Sequence, residues 1–419
     1  MAILTAIQGV PHTGALRTLS LLLIITQLIW IWSASHKSWP GLHGGIEVTL
    51  FWLLTLWLVV HSTLIAQTPL IALQTVADNW GKLLLLTVVG ITLAWLVDNR
   101  RRIVMALFVG AYFHTGVALW VLGLGFADTG RIVYVESMFG NGNLISSFVA
   151  ISFAFLLADG ISRVWHHRSL FPWPTIVTIL SGLAALFVQI MLKAKAGQVM
   201  TIVLIAVAVL AMLSRSKVGR RWSVALAVLG VLAGWQTVRE ENSRWSGFMD
   251  SMQTAWRNPI PIPALLSDRV AVPSGLNHSP YVRSIRYRAG LEGVVLFPLG
   301  FGYTTDVYRH YLATRYGISE GIESSNSGLL DFGLATGIPG IVLLLSLSVA
   351  LIWRGWSAFI VGRPEGAVLA FVVLQHIGRY ALDGTLAGSR FSGMAIIIGA
   401  LWGLLALHPQ QEKTGTYGG

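Results

Sequence analysis

The sequence predicts an all-α, polytopic membrane helical bundle with about 11–12 transmembrane helices and one long external loop. Of its 419 residues, 54% are hydrophobic and only 11% are charged, whereas charged residues make up about a quarter of an ordinary soluble domain. The apolar residues also form long continuous runs instead of alternating at every second position. This pattern favours spanning helices over a membrane β-barrel.

Polar breaks separate the apolar runs, and each run is close to the roughly 20 residues that a spanning helix needs. The first run lacks a preceding basic stretch and a cleavage pattern, so we interpret it as a retained helix. The stretch 66–82 is too polar to span easily, and we interpret it as an external connector or an interfacial helix. The runs are residues 16–32, 46–64, 83–97, 103–122, 144–157, 176–192, 199–213, 223–238, 338–353, 367–381 and 391–407.

The net charge of +11 is concentrated in alternate short loops, a pattern that needs no nucleic-acid partner to explain it. Short loops rich in Lys and Arg remain cytoplasmic, and these clusters all agree on one orientation, which puts the segment 239–325 outside. The basic clusters are Arg100, Arg101 and Arg102; Arg163 and Arg168 with His166 and His167; Arg215, Lys217, Arg220 and Arg221; and Arg354 with Arg363.

We therefore divide the chain into an N-terminal transmembrane bundle (1–238), a long external loop with substrate-binding helices (239–325), C-terminal transmembrane helices (326–407) and a cytoplasmic tail (408–419). The chain has no cysteine. Disulfides, thiol catalysis and cysteine metal sites are thereby excluded. No soluble catalytic domain is evident, so an active site must be built from helix ends and the external loop.

The external loop contains nine arginines and no lysine, and planar guanidinium forks match phosphate or carboxylate oxygens. The segment 284–297 is predicted to be helical. In a helix, Arg283 and Arg286 share a face, while Arg288 is turned about 140° away from Arg283. The pair suits a pyrophosphate whose charge grows as a bond breaks. Alternatively, these arginines form an interfacial face that touches lipid headgroups.

A polar stretch, Ser324, Ser325, Asn326 and Ser327, precedes the sequence GLLDFGLATGIPG (328–340) and the next apolar run. Serine and asparagine side chains cap the exposed amides at a helix start. Capping alone explains the stretch, and a polar substrate site at the same helix start is the alternative interpretation.

Other ionisable residues are further candidates. Lys195 lies in a very short external break, where cations are disfavoured unless an anionic ligand needs them. Arg379 and Asp383 share one helix face in the membrane, either as a structural ion pair or as part of a functional path. His310 has an imidazole suited to proton transfer near neutral pH, or it packs structurally between its tyrosine neighbours.

Several stretches of the sequence resemble motifs of the O-antigen ligase and O-antigen polymerase family. The stretch SSNSGLLDFGLATGIPG is similar to the family signature, in which a histidine and an asparagine precede a helix and a Gly-x-x-Gly turn follows. RSIRYRAGLEGVVLFPLGFGY (283–303) is similar to the family's arginine-led helix. RIVYVESMFGNGNLISSF resembles its asparagine-containing external loop, and LKAKAGQV stands where the family has a Ser-Arg-Gly motif. The resemblance covers roughly residues 131–407.

The resemblance implies a multi-pass bacterial inner-membrane glycosyltransferase with a periplasmic active face, acting without a metal or another cofactor. Its donor would be a glycan on undecaprenyl pyrophosphate. A ligase transfers the glycan to lipid A-core oligosaccharide, whereas a polymerase transfers it to another carrier-linked glycan. A transporter or flippase of lipid-linked glycans is the competing class, because the same cations bind such a ligand without catalysis.

The resemblance also implies roles for individual residues. In this chain Ser325 stands where the family has its histidine base, and Lys195 stands where the family has arginine. His310 is therefore the first candidate for the base, with Glu320 and Glu323 behind it. The implied catalytic residues are Arg283, Arg286, His310 and Ser325, and the implied substrate-binding residues are Lys195, Arg288, Arg309, Asn326 and Arg379.

Overall fold

The computed structural model is an all-α bundle. It describes residues 22, 24–27, 29, 33, 45–97, 99–129, 142–192, 194–213, 247–262, 265, 272–304, 306–318, 322, 324–383 and 389–407. Within these ranges there is no β-strand, which confirms the predicted fold class.

The described α-helices are numbered in chain order, and a π-helical turn, Ala77–Gly81, joins α2 to α3. The helices are α1 Ile46–Leu64, α2 Pro69–Val76, α3 Lys82–Leu96, α4 Arg100–Thr129, α5 Gly142–His166, α6 Thr175–Met191, α7 Lys195–Leu213, α8 Phe248–Arg257, α9 His278–Leu296, α10 Val307–Tyr316, α11 Gly328–Ile360, α12 Pro364–Leu382 and α13 Ser389–Leu407.

Six helical stretches of the described chain are long and apolar enough to cross a membrane, and six of the predicted runs fall in them. The predicted runs 176–192 and 391–407 correspond to shorter apolar helices, and the run 367–381 corresponds to α12. The runs 16–32 and 223–238 lie wholly or largely outside the described residues, as do the tail 408–419, Glu320 and Glu323. The spanning stretches are Ile46–Leu64, Pro69–Leu96, Arg100–Thr129, Ile145–His166, Lys195–Leu213 and Gly328–Ile360.

The stretch 66–82 differs from its interpretation as a separate connector. From Pro69 onward it is helical and continuous with α3, so that Pro69–Leu96 forms one stretch of 28 residues. Pro69 occupies the first turn of α2, where its missing N–H costs nothing. No proline or glycine interrupts the chain before Gly81, so the helix propagates through the polar residues.

One end of the bundle, here called the basic end, gathers the clusters predicted to face the cytoplasm. Glu365 pairs with Arg100 at 3.8 Å and with Arg363 at 3.2 Å. A ring nitrogen of His166 bonds to the carbonyl oxygen of Phe359 at 2.7 Å. Since these residues belong to three separate clusters of the sequence, their convergence is the arrangement that the charge pattern predicted. The cluster 215–221 lies outside the described residues.

The helices α3 and α13 approach each other closely because small residues line their contact. A β-carbon on Gly399 or Gly403 of α13 would come within 3.0 Å of atoms of α3, including the backbone of Thr87 and Ile91. Glycines spaced four apart permit this approach, as in other membrane helix pairs. The two glycines therefore fix α13 against the N-terminal half of the bundle.

Helix α11 is broken at Gly337, which has φ 74° and ψ −178°. The segment 297–303 between α9 and α10, here called the docking segment, lies against this break. The Phe301 and Gly302 amides donate to the carbonyls of Leu334 and Ala335 at 2.8 and 3.0 Å, and the Ile338 amide donates to Pro298 at 2.8 Å. The break is thus closed by hydrogen bonds from another part of the chain.

Helix α1 also holds the docking segment and the break through hydrogen bonds. The Trp57 indole donates to the carbonyl of Thr336 at 2.9 Å, and a ring nitrogen of His61 bonds to the carbonyl of Leu299 at 2.5 Å. The backbone amide of Gln67, just beyond α1, donates to Phe301 at 3.2 Å. These bonds tie α1, the docking segment and both halves of α11 into one unit.

A fully buried carboxylate, Asp159, holds the turn between α5 and α6. It accepts hydrogen bonds from the amides of Leu170 and Phe171 at 2.6 and 3.3 Å, and from the Thr178 hydroxyl at 2.7 Å. The Arg163 guanidinium pairs with it at 2.7 Å. A buried charge with this many donors is compensated, so its removal leaves a partly buried arginine and several donors without their acceptor.

We predict that Asp159→Ala lowers the free energy of unfolding in detergent by about 3–5 kcal/mol, the cost of breaking a buried charge pair. The measurement is a reversible denaturant titration followed by tryptophan fluorescence. Asp78→Ala is the matched control, because Asp78 also pairs with a cation four residues on, Lys82 at 3.6 Å, but its side chain is 60% exposed. The control is expected to change the unfolding free energy by less than about 1 kcal/mol. Equal losses in the two variants would contradict this account of Asp159.

Candidate functional site

The polar start of α11 is organised by two side chains of its own sequence. Ser327 is the N-cap, and its hydroxyl oxygen accepts a hydrogen bond from the Leu330 amide at 3.3 Å. Asp331, which is buried, accepts from the Ser325 amide at 2.9 Å and from the Ser324 hydroxyl at 2.8 Å. The capping interpretation of this stretch is thus confirmed, and the caps hold a buried carboxylate in the same turn.

Asn326 lies at the tip of this turn. Its φ is 66°, in the left-handed region that asparagine tolerates better than most residues. Its side-chain Nδ2 is buried and has no hydrogen-bond partner within the described ranges of the chain. An amide donor without a partner, in a turn that is otherwise satisfied, is a position where a ligand oxygen gains a hydrogen bond.

Helix α9 packs against the start of α11, and this contact brings the family-like arginines to the polar turn. A β-carbon on Gly290 would lie 2.9 Å from the β-carbon of Ser325. Arg286, one helical turn before Gly290 on the same face, is buried. Arg283, a further turn away, is exposed. Helix α9 therefore carries an exposed cation, Arg283, and a buried cation, Arg286, and the buried one is nearer the turn that contains Ser325.

Tyr308 of α10 fixes this part of α9. Its hydroxyl donates to the backbone carbonyl of Arg286 at 3.1 Å. Burial raises the pKa of Tyr308 well above its usual range, the Asp331 charge raises it further, and the Arg286 charge opposes the shift. The phenol therefore remains protonated at neutral pH and donates its hydrogen bond. The charges of Arg286 and Asp331 both act on this phenol, and we call these three buried residues the Arg286 cluster.

Arg288 occupies a different environment from Arg286. Its guanidinium Nη1 donates to the carbonyl of Ala255 at 3.0 Å and also to the carbonyl of Asn258. These carbonyls lie at the C-terminal end of α8, where cations are favoured. In the structure this predicted substrate-binding residue holds α8 against α9.

The structure does not bring His310 into the Arg286 cluster. Tyr308 and Tyr311 of α10 are buried, whereas His310 is exposed. A His310 ring nitrogen bonds to the side-chain oxygen of Gln67 at 2.6 Å. Arg309, another predicted substrate-binding residue, pairs with Asp306 at 3.8 Å.

A second polar cluster lies inside the bundle where α5, α6, α7 and α12 meet. The buried Arg379 donates to the Ser146 hydroxyl at 3.0 Å and pairs with Asp383 at 3.8 Å. Gln189 donates to the same serine at 2.7 Å. Lys195 begins α7, two residues before Gly197, and Gly197 packs directly on this cluster. The start of α7, which carries Lys195, thus lies in the same region of the bundle as Arg379.

The two clusters meet at one end of the bundle, here called the loop end, opposite the basic end. The Gly328 amide, at the start of α11, donates to the carbonyl of Asp383 at 3.2 Å. The Tyr380 ring lies against Gly328 so closely that a β-carbon has no room there. The starts of α7 and α11, the end of α12 and helix α9 therefore surround one region.

Sequence reasoning missed Asp331, Tyr308, Ser146 and Gln189 as members of the site. Asp331 did carry a signal, because a carboxylate in an otherwise apolar membrane helix is uncommon and usually functional. Tyr308, Ser146 and Gln189 belong to the site through contacts between residues far apart in the sequence. No local pattern marks them.

Across the part of the chain that the structure describes, there is no group of three or more His, Asp or Glu side chains that could hold a metal ion. No known protein-family model matches the chain, and no curated protein matches it in sequence.

Proposed function

We propose that the protein is a membrane glycosyltransferase that uses a glycan carried by undecaprenyl pyrophosphate, and that it acts as an O-antigen ligase with lipid A-core oligosaccharide as acceptor. An O-antigen or polysaccharide polymerase of the same family is the closest alternative. With the basic end in the cytoplasm, as the charge bias of short loops favours, the loop end faces the periplasm of a bacterial inner membrane.

The buried position of Arg286, one helical turn from the contact between Gly290 and Ser325, carries this proposal. A guanidinium that is 5% exposed has lost most of its hydration, and such a cation is retained where an anion or a dipole compensates it. Arg283 adds a solvent-facing cation one turn away. Together with Lys195 and Arg379 across the loop end, these cations suit a diphosphate whose tail stays in the membrane.

The transfer reaction requires stabilisation of the negative charge that develops on the pyrophosphate leaving group. The acceptor hydroxyl oxygen attacks the anomeric carbon of the donor sugar, the bond from that carbon to the pyrophosphate oxygen breaks, and undecaprenyl pyrophosphate departs with the bonding electrons. Arg286 and Arg283 stabilise the negative charge that grows on that oxygen. Asn326 donates its unpartnered amide to the donor glycan or phosphate.

The carrier tail has an apolar groove available in the bundle. A cavity of about 340 Å³ lies between α7, α11 and α12 and is lined mostly by Val207, Leu210, Ile352, Phe371 and Leu374. Since α7 begins at Lys195 and α12 ends near Arg379, both helices run from this groove to the cations at the loop end.

The proton acceptor is better supplied by Asp331 than by His310. The Asp331 carboxylate lies in the Arg286 cluster, and each of its oxygens accepts one hydrogen bond and retains a second lone pair. His310 faces Gln67, away from that cluster. Ser325 then acts as a positioning residue, because its amide orients the carboxylate.

Transport of a lipid-linked glycan is the second candidate, and the break in α11 favours it. Interrupted membrane helices often form substrate sites in transporters. The break at Gly337 is, however, filled by the docking segment, which supplies the missing hydrogen-bond partners. A site occupied by the protein's own backbone is less suited to a substrate.

We predict that Arg286→Ala lowers turnover by about 10²–10³-fold, the effect of removing one group that stabilises charge in a transition state. Purified protein is incubated with undecaprenyl-pyrophosphate glycan and lipid A-core, and products are separated on a gel. A shifted core band identifies a ligase, and elongated carrier-linked chains identify a polymerase. Absence of both products in the wild-type protein would reject the transferase proposal.

The matched control is Arg257→Ala, which removes an exposed arginine of α8 and is expected to retain full turnover. The separate variant Arg283→Ala is expected to lose activity, as Arg286→Ala does. Thermal unfolding in detergent checks that each variant is folded. Full turnover in folded Arg286→Ala and Arg283→Ala proteins would remove the pyrophosphate role from α9.

For the proton acceptor, we predict that Asp331→Asn lowers turnover by about 10²–10⁴-fold, the usual contribution of general acid–base catalysis. His310→Ala is expected to keep most of the activity. The pH profile of turnover separates a catalytic from a structural role, because loss of the acceptor removes the acidic limb of the profile. Loss of that limb in His310→Ala, with an unchanged profile in Asp331→Asn, would return the role to His310.

A further inference from the structure

A groove at the basic end has no role in the proposed transfer reaction. It has a volume of about 480 Å³ and lies between the first turns of α4 and the turn that connects α5 to α6. Arg101 and Arg102 form its polar mouth, and Met105, Ala106 and Val109 form its apolar wall, with Pro172 opposite.

Both arginines of the groove are exposed, and neither guanidinium makes a hydrogen bond or an ion pair within the described part of the chain. Their neighbour Arg100 differs, because it pairs with Glu365 at 3.8 Å. Asp98, which precedes the groove, lies outside the described residues. Two adjacent guanidinium groups offer forked donors that fit the oxygens of a phosphate.

The apolar wall continues as a stripe along the outer face of α4. Val109, Phe113 and Trp120 are exposed by 48%, 47% and 66%, and at Gly116 an added β-carbon would meet open space. Successive members lie three or four residues apart and therefore share one face. From Arg102 to Gly116 the stripe is about 20 Å long, enough to cross one leaflet of a hydrocarbon core roughly 30 Å thick.

We propose that this groove binds an anionic glycerophospholipid, with the phosphate between Arg101 and Arg102 and an acyl chain along the α4 stripe. A headgroup without an ammonium group is favoured, since an ammonium would be repelled by the two guanidinium groups. A site for soluble phosphate needs only the two arginines. Here the arginines lie beside the apolar α4 stripe, which suits an acyl chain. The inference does not depend on the transferase proposal.

The test is native mass spectrometry of the purified protein, titrated with phosphatidylglycerol or with phosphatidylcholine of the same acyl chains. We expect the wild-type protein to prefer phosphatidylglycerol by about tenfold or more. In Arg101→Gln/Arg102→Gln that affinity is expected to fall by about tenfold or more. Ala106→Trp, which fills the groove without changing its charge, is expected to weaken binding as well.

The control is Arg257→Gln/Lys82→Gln, which removes two exposed cations outside the groove and is expected to bind as the wild type does. Inorganic phosphate at millimolar concentration is the competitor that separates the two sources of a phosphate. Equal affinity for the two lipids, wild-type affinity in either groove variant, or displacement of the lipid by inorganic phosphate would overturn the proposal.

Discussion

The interrupted backbone of α11 is the constraint on which the rest of the structure depends. A peptide group in an apolar environment costs free energy unless it has a hydrogen-bond partner. At Gly337 the helix cannot satisfy its own groups, and Phe301, Gly302, Pro298 and Trp57 supply the partners instead. The docking segment must therefore lie where it does, and the helices on either side of it are positioned by the same bonds.

The candidate site follows from that placement. Helix α9 leads into the docking segment. Because the docking segment is bonded to α11, α9 packs against the polar start of α11, with Gly290 against Ser325. Tyr308, just beyond the docking segment, then bonds to the backbone of Arg286. The closed break in α11 thus brings the buried cation of α9 to the turn that contains Asn326 and the buried carboxylate of Asp331.

The sequence predicted the parts of the fold that depend on local chemistry. The apolar runs that fall within the described residues became helices, and the predicted helix 284–297 became the last part of α9, which ends at Leu296. The convergence of the described basic clusters at one end followed the charge pattern. Contacts between residues far apart in the sequence could not be predicted from local patterns. The role of Arg288 depends on carbonyls about thirty residues earlier, and the environment of His310 depends on Gln67 of a distant segment. The family resemblance implied a turn at residues 337–340, but it did not indicate that another chain segment would close it.

The most direct test of the account measures amide hydrogen exchange in the docking segment, with the protein in lipid nanodiscs. The account predicts that the amides of Phe301, Gly302 and Ile338 exchange as slowly as amides in the interior of α11, because each donates a hydrogen bond to a backbone carbonyl across the break. Exchange of these amides at the rate of an unstructured peptide would show that the segment does not close the break, and would contradict the account of the site.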